Sequence, residues 1–291
     1  MSADLANGRV ACTICGAAGD RLCEKPPATY FRCSGCGFIF QHPLPAAGDF
    51  VAYAEAEYQG GLYSEYVRAR EMKLEHFRRR LALVRQHHPP GRLLDIGCSC
   101  GYFMEVAAGA GFDVHGLEFS ASAIGAAVPH VRSRIRRASV EDLTESRDGG
   151  FDVITAFDII EHLNAPVDFL TRARGLLSPN GCLVVSTPDA GHWLRPLMQS
   201  RWPMLQPMQH VSLFTRAALA RALERSGFRT VRIDPAFKVL SFDYLVGQLP
   251  TLNPRLHSIA SAVNGLLPTS VGHKWRAVNI GEILAVATPQ P

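Results

Sequence analysis

The stretch that most constrains this chain is Leu93-Leu94-Asp95-Ile96-Gly97-Cys98-Ser99-Cys100-Gly101-Tyr102-Phe103. A short apolar run halts at an acidic residue and a glycine-punctuated turn, after which Phe103, Met104, Val106 and Ala107 recur at helical spacing. That order reads as strand, tight turn, helix. Such a turn presents free helix N–H groups at the carboxyl edge of a parallel sheet, where open α/β folds bind nucleotides and their relatives.

The residues of the turn choose among those ligands. A dinucleotide fingerprint needs glycine at 97, 99 and 102, whereas the chain has Gly97, Ser99 and Tyr102. Asp95, just ahead of the turn, repels a diphosphate and suits a ligand carrying an ammonium or sulfonium group, which points to S-adenosylmethionine. Phe112 to Leu117 forms a second strand ending in Glu118, twenty-three residues after Asp95, placed to accept hydrogen bonds from both hydroxyls of a ribose. Val131 to Arg137 is a weaker strand, and Ser139-Val140-Glu141-Asp142-Leu143 after it offers backbone groups and an acidic side chain to an adenine. Phe151 to Phe157 is a fourth strand with Asp158-Ile159-Ile160-Glu161-His162 at its carboxyl end, where catalytic groups belong in such a sheet. The cofactor-binding set read from these positions is Asp95, Gly97, Ser99, Gly101, Glu118, Phe119, Val140, Glu141 and Phe157.

The alternation continues with a helix over Val167 to Leu177, a strand over Cys182 to Ser186, a helix over Thr215 to Ser226 stopped by Gly227, and strands over Phe228 to Ile233 and Ile280 to Ala287. The expected fold is α/β, a doubly wound, seven-stranded, mostly parallel sheet over residues 92–291. Two insertions interrupt it. Residues 188–214, with His192, Trp193, Trp202 and His210, read as an acceptor lid, and 235–279 as a helical insertion whose Leu256, Ile259, Ala260, Val263 and Leu267 form one apolar stripe. That stripe suits core or lid packing, with membrane-surface contact as a second use.

Ahead of the core, Cys12-x-x-Cys15 and Cys33-x-x-Cys36 enclose seventeen residues, and Gly16 and Gly37 follow the second cysteine of each pair. The spacing predicts a zinc ribbon over 1–45, in which Cys12, Cys15, Cys33 and Cys36 fill the coordination sphere of a structural Zn2+ and leave no position for a reacting water. Residues 46–91 read as a proline- and tyrosine-bearing connector (His42-Pro43-Leu44-Pro45 leading to Tyr53, Tyr58 and Tyr63) able to fold over a ligand, then an amphipathic helix from Leu62 to His88 with a solvated arginine face. Eight cysteines used in this way, no signal-like start and no membrane-length apolar run imply a soluble protein of the cytoplasm. A net charge of +4 neither demands nor excludes nucleic acid.

Taken together, Leu94-Asp95-Ile96-Gly97-Cys98-Ser99-Cys100-Gly101, Glu118 and Phe151-Asp152-Val153-Ile154 resemble the class I S-adenosylmethionine-dependent methyltransferases, which usually carry glycine where this chain has Ser99. Asp158-x-x-Glu161-His162-Leu163 looks like a stretch of the ubiquinone-type O-methyltransferases, where an acid, a glutamate and a histidine gather a divalent ion. Gln209-His210-Val211-Ser212-Leu213-Phe214-Thr215 looks like the segment preceding the last helix in the same group. The cysteine ribbon ahead of such a core is similar to bacterial methyltransferases of sugar, surface-polysaccharide and natural-product pathways.

The resemblance implies methyl transfer to a small-molecule or saccharide acceptor, with a hydroxyl favoured. His162, whose unperturbed pKa lies near neutrality, is the first candidate base and His210 the second. If 158–162 continue as a helical turn, Asp158, Glu161 and His162 share a face and form a site for Mg2+. Two other readings stand beside this one: an RNA methyltransferase gripping its substrate with the ribbon and the arginine helix, and a non-catalytic methyltransferase-like binding protein. Nucleic acid is the less favoured partner, because no Asn/Asp-Pro-Pro-aromatic segment follows the fourth strand.

Overall fold

The computed structural model describes residues 9–46, 48–49, 52–53, 55–56, 66–142, 149–252, 254–266 and 274–290. Tyr58, Tyr63, the first residues of the expected 62–88 helix and the side chains of Leu256, Ile259 and Leu267 lie outside them.

Strands β1 (Val10–Ala11), β2 (Ala18–Lys25), β3 (Ala28–Cys33) and β4 (Ile39–His42) form an antiparallel meander. Helix α1 (Arg70–Val84) precedes β5 (Arg92–Ile96), α2 (Tyr102–Gly109), β6 (Asp113–Glu118), α3 (Ala121–Ala126), α4 (Pro129–Arg132), β7 (Ile135–Arg137) and β8 (Phe151–Phe157). Then come α5 (Pro166–Leu176), β9 (Leu177–Pro188), α6 (Leu194–Met198), β10 (Ser212–Leu213), α7 (Arg216–Arg225), β11 (Phe228–Leu240), α8 (Phe242–Leu252), α9 (Pro254–Leu266) and β12 (Arg276–Pro289).

The large sheet runs β11-β12-β9-β8-β5-β6-β7. The pairs among β7, β6, β5, β8 and β9 are parallel, and β12 inserts antiparallel between β9 and β11. This is the doubly wound, mostly parallel seven-stranded sheet expected. Its central strands are largely apolar because helices cover both faces: Leu93, Ile96, Val153, Ile154, Leu183 and Val184 are fully buried. The strand order reverses beside β5, so the carboxyl ends of β5, β6 and β8 open a crevice there.

Three boundaries differ from the expectation. The strand β9 begins at Leu177, within the expected helix end, because Gly181 crosses close to β8: a Cβ there would lie 2.9 Å from the Phe151 carbonyl oxygen. Arg132 belongs to a helical turn, and only Ile135–Arg137 pairs with β6. Strand β11 runs seven residues past Ile233, through Lys238, because Lys238–Leu240 pairs with Ala277 and its neighbours in β12 across two register shifts.

The insertion 188–214 does not lie over the crevice as a whole. Its Ala190, Trp202, Leu205 and Leu213 pack with Tyr30 and Ile39 of the meander, and β10 pairs with β4 to complete a five-stranded sheet. One apolar core joins the two sheets, containing Cys12, Phe38 and Phe40 together with Phe214, Leu219 and Ile283. The arginine face of α1 is likewise only partly solvated. Arg78 and Arg79 are exposed beside Glu75, but Arg80 is buried against Glu282. Among the described residues no helix is long and apolar enough to cross a membrane.

Candidate active site

The turn after β5 is shaped by left-handed backbone at three of five positions: Gly97 (φ +71°), Ser99 (φ +51°) and Gly101 (φ +72°). A Cβ on Gly97 would fall 2.1 Å from Ile159 Cδ1, so only glycine lets the turn touch the loop after β8. Gly101 packs against Val131 and caps α2. Ser99 takes the same conformation with a side chain, and its N–H donates to Glu118 Oε2 at 2.9 Å.

Glu118 is buried at the end of β6, and Oε1 accepts from Ser120 N–H at 2.9 Å. Burial raises its pKa while the backbone N–H groups of Ser120 and Ser99 oppose the rise. Each oxygen keeps a second lone pair for a ligand hydroxyl. Asp95, also buried, sits beside Thr155 on the neighbouring strand and accepts its hydroxyl at 2.7 Å. Burial pushes the Asp95 carboxyl up to about 7, with the Thr155 hydroxyl opposing the rise and the Glu118 charge adding to it.

These residues border a cavity of about 980 Å³. Of the expected cofactor set, Asp95, Gly97, Ser99, Glu118, Phe119, Val140 and Phe157 line it, whereas Gly101 stands behind the turn. The Glu141 side chain lies outside the described residues. Ala46, Gly48 and Tyr53 of the connector also line the cavity, and Tyr53 accepts a hydrogen bond from Gln209 Nε2 at 3.0 Å. Gln209 is the contribution of the 188–214 insertion to the wall.

The segment after β8 departs from a helical turn carrying three ligands on one face. Asp158 has φ +56° and faces Lys238, whose Nζ lies 2.8 Å from Oδ2. Burial opposes charge on both, yet Lys238 holds the Asp158 carboxyl well below the usual range and Asp158 holds the Lys238 ammonium above its own. Glu161 turns away to accept the Thr187 hydroxyl at 3.0 Å. Its partners in space are His162 and His210, so the cluster with one ligand atom each within 4.8 Å is Glu161, His162 and His210, without Asp158.

Both imidazoles have a defined tautomer. His162 Nδ1 lies 2.9 Å from the Gln209 carbonyl and His210 Nδ1 lies 2.9 Å from the Met204 carbonyl. A carbonyl only accepts, so each Nδ1 carries a proton and the lone pair of the neutral ring lies on Nε2; the backbone of Asp158 also acts on the His162 ring. Burial lowers both pKa values, that of His210 to about 3, which keeps the rings neutral. His162 lines the cavity and His210 stands behind it, with ring centroids 5.1 Å apart.

Lys73, His76, Thr155 and Lys238 were not singled out from the sequence, yet they border the cavity or hold a residue that does. A lysine in the apolar run Ala236-Phe237-Lys238-Val239-Leu240 was the available signal for Lys238.

In the meander, the four cysteine sulfurs converge: Cys12 and Cys36 Sγ are 3.8 Å apart, Cys15 and Cys33 Sγ 3.3 Å. Ile14 N–H points at Cys12 Sγ and Gly35 N–H at Cys33 Sγ, as thiolates holding an ion require. A tetrahedral ion with bonds of about 2.3 Å needs sulfurs about 3.8 Å apart, the spacing of Cys12 and Cys36, while Cys15 and Cys33 sit about half an ångström closer; four converging thiols are the donor set that zinc takes.

Comparison with known proteins agrees with this geometry. Residues 66–233 match the family model described as a methyltransferase domain. The chain is 34% identical over 101 residues to a ubiquinone biosynthesis O-methyltransferase of Dechloromonas aromatica, a match covering 33% of this chain and 44% of that protein. It thus spans less than half the length of the curated relatives it matches. The fold superposes on 1,6-didemethyltoxoflavin-N1-methyltransferase of Burkholderia thailandensis, solved with S-adenosylhomocysteine, with a TM-score of 0.53 at 15% identity, covering 92% of this chain and 97% of that one. A SAM-dependent methyltransferase of Archaeoglobus fulgidus gives 0.52 at 17% identity, covering 76% and 98%. With its family model spanning more than half of the sequence, the chain belongs to the class I S-adenosylmethionine-dependent methyltransferases.

Proposed function

We propose that this protein transfers a methyl group from S-adenosylmethionine to a hydroxyl of a small-molecule or saccharide acceptor, with His162 as the base. The observation that carries the reading is the shared cavity: two buried carboxylates, Asp95 and Glu118, line its cofactor end, and a neutral histidine tethered through Nδ1 lines the same wall. The cofactor supplies an electrophilic methyl on a sulfonium. Glu118 suits the ribose hydroxyls, Asp95 suits the positive charge, and the glycine at 97 admits the ligand to the backbone. Phe77, Phe157, Ile159 and Leu163 keep water from the reacting centre, where in-line alignment is the main requirement. His162 Nε2 takes the hydroxyl proton as the oxygen attacks, and the Gln209 carbonyl stabilises the resulting imidazolium through Nδ1–H.

We further assign Cys12, Cys15, Cys33 and Cys36 to a structural Zn2+, and place the reaction in a reducing compartment such as the cytoplasm, where such thiolates and the four remaining thiols persist. The O-methyltransferase names of the partial relatives support a hydroxyl acceptor. The test is incubation with methyl-labelled S-adenosylmethionine and a panel of catechols, phenols and sugars, read by mass spectrometry. Products one methyl heavier at oxygen are expected, and His162→Gln should lower kcat about 10²- to 10⁴-fold with cofactor affinity retained. Methylation at nitrogen or carbon alone would remove the hydroxyl assignment.

A further inference from the structure

The Lys73 ammonium at the cavity wall is not used by the mechanism above. Lys73, on α1, borders the cavity with Tyr66, and its Nζ lies 4.7 Å from the Tyr66 ring centroid and 4.9 Å from that of Tyr244 on α8. The two rings place π faces against the ammonium, an arrangement that stabilises its charge without neutralising it.

The neighbouring charges do not balance it. Asp158 is engaged by Lys238 at 2.8 Å, and Glu282 by Arg80 at 2.5 Å with Lys238 a further 3.9 Å away. His76, the remaining titratable group on this face of α1, is pushed down to about 3 by burial and by Arg80, so it is neutral, and Cys100 is a buried thiol. Among the described residues, three cations (Lys73, Lys238, Arg80) therefore face two carboxylates (Asp158, Glu282). Lys73 makes no ion pair or hydrogen bond to a carboxylate among the described residues, and burial together with Lys238 lowers its pKa to about 8. A cation left over beside an open cavity calls for one negative charge from the ligand. Tyr66 and Lys73 open onto the cavity while Tyr244 backs the ammonium from α8, and a carboxylate matches the single surplus charge.

We propose that Tyr66, Lys73 and Tyr244 form a carboxylate-binding subsite of the cavity. The chemistry has two sources, the α-carboxylate of the cofactor's methionine end and a carboxylate on the acceptor. The proposal rests on the reading that the cavity holds cofactor and acceptor, but its readout is binding, so a failure of methyl transfer leaves it separately testable.

The full chain is titrated calorimetrically with S-adenosylhomocysteine, with 5′-methylthioadenosine, which lacks the amino acid end, and with benzoate or benzamide after saturation with S-adenosylhomocysteine. If the cofactor is the source, Lys73→Met weakens S-adenosylhomocysteine about tenfold or more and leaves 5′-methylthioadenosine unchanged. If the acceptor is the source, Lys73→Met leaves both nucleosides unchanged and removes binding of benzoate, which Lys73→Arg retains. The wild-type chain provides the control for a variant that fails to fold: it should prefer benzoate to benzamide, or else lose affinity for a decarboxylated S-adenosylhomocysteine analogue. Equal affinities across both pairs in the wild type, or a folded Lys73→Met that binds every probe normally, would overturn the proposal.

Discussion

Arg80 Nη2 lies 2.5 Å from Glu282 Oε1, joining the helix ahead of the core to the last strand of the sheet, 202 residues later. Both side chains are at most 6% accessible. Removing one partner strands the other charge away from water, so Arg80→Met should cost about 3–5 kcal/mol in urea denaturation, and adding Glu282→Met should restore much of that loss. A single-variant cost no larger than that of an exposed control such as Arg79→Met would show that the pair contributes little.

Ser99 occupies left-handed backbone that glycine adopts freely. A non-glycine residue there costs about 1–2 kcal/mol, offset in part by glycine's greater entropy when unfolded, so Ser99→Gly should stabilise the chain by about 0.5–1 kcal/mol. Ser99→Val should destabilise it, because a branched Cβ tolerates this conformation least. The Glu118 contact uses the backbone N–H, so cofactor affinity should survive Ser99→Gly, as calorimetry would report.

Asp95 gives the cofactor site its pH dependence. Its folded pKa, about 7, lies above the ordinary value, so the neutral acid is the form the ligand-free protein prefers. A cationic ligand needs the carboxylate, and S-adenosylmethionine affinity should fall up to tenfold per unit as pH drops below about 7. Stability of the ligand-free chain has the opposite sign: this group's contribution is fully present below about pH 4 and is lost as pH rises through 7. Asp95→Asn should therefore flatten both profiles, weakening the cofactor and raising the melting temperature at pH 8. Binding that is flat with pH in the wild type would contradict the role.

Zinc removal should reach the active site through the shared sheet. Strand β10 pairs with β4, Tyr30 donates to the His210 carbonyl at 3.0 Å, and Val211 N–H donates to the Glu161 carbonyl at 2.9 Å. Purified protein should contain about one zinc per chain. Chelation or Cys33→Ser should lower the melting temperature and change Trp202 fluorescence, since Trp202 packs against Tyr30 and Ile39. Metal-free protein with unaltered melting and fluorescence would uncouple the ribbon from the core.

Much of the cavity end to which we assign the cofactor was legible because its signals are local. Gly97, Gly101 and Asp95 belong to one turn, Glu118 ends the next strand, and strand periodicity places both at the same sheet edge. The acceptor end was not legible in this way. Lys238 reaches Asp158 only because β11 extends through a pairing with β12, whose residues lie some forty positions further on. Arg80 read as part of a solvated face because helical spacing cannot show that Glu282 lies opposite. A shared face for Asp158, Glu161 and His162 required a helical turn from 158 onward; the turn begins only at Ile160, and the left-handed Asp158 and the Thr187 hydroxyl on Glu161 send the three polar residues in different directions.

By itself, then, the sequence determined the class of fold, the four-cysteine knuckles and the glycine turn after β5 to which we assign the cofactor, because each is written in short-range spacing and residue type. Only the tertiary structure decided which charges are paired, which histidine borders the cavity and where a cation is left over. Those depend on side chains brought together across a sheet, where desolvation makes each pairing matter and no sequence interval records it.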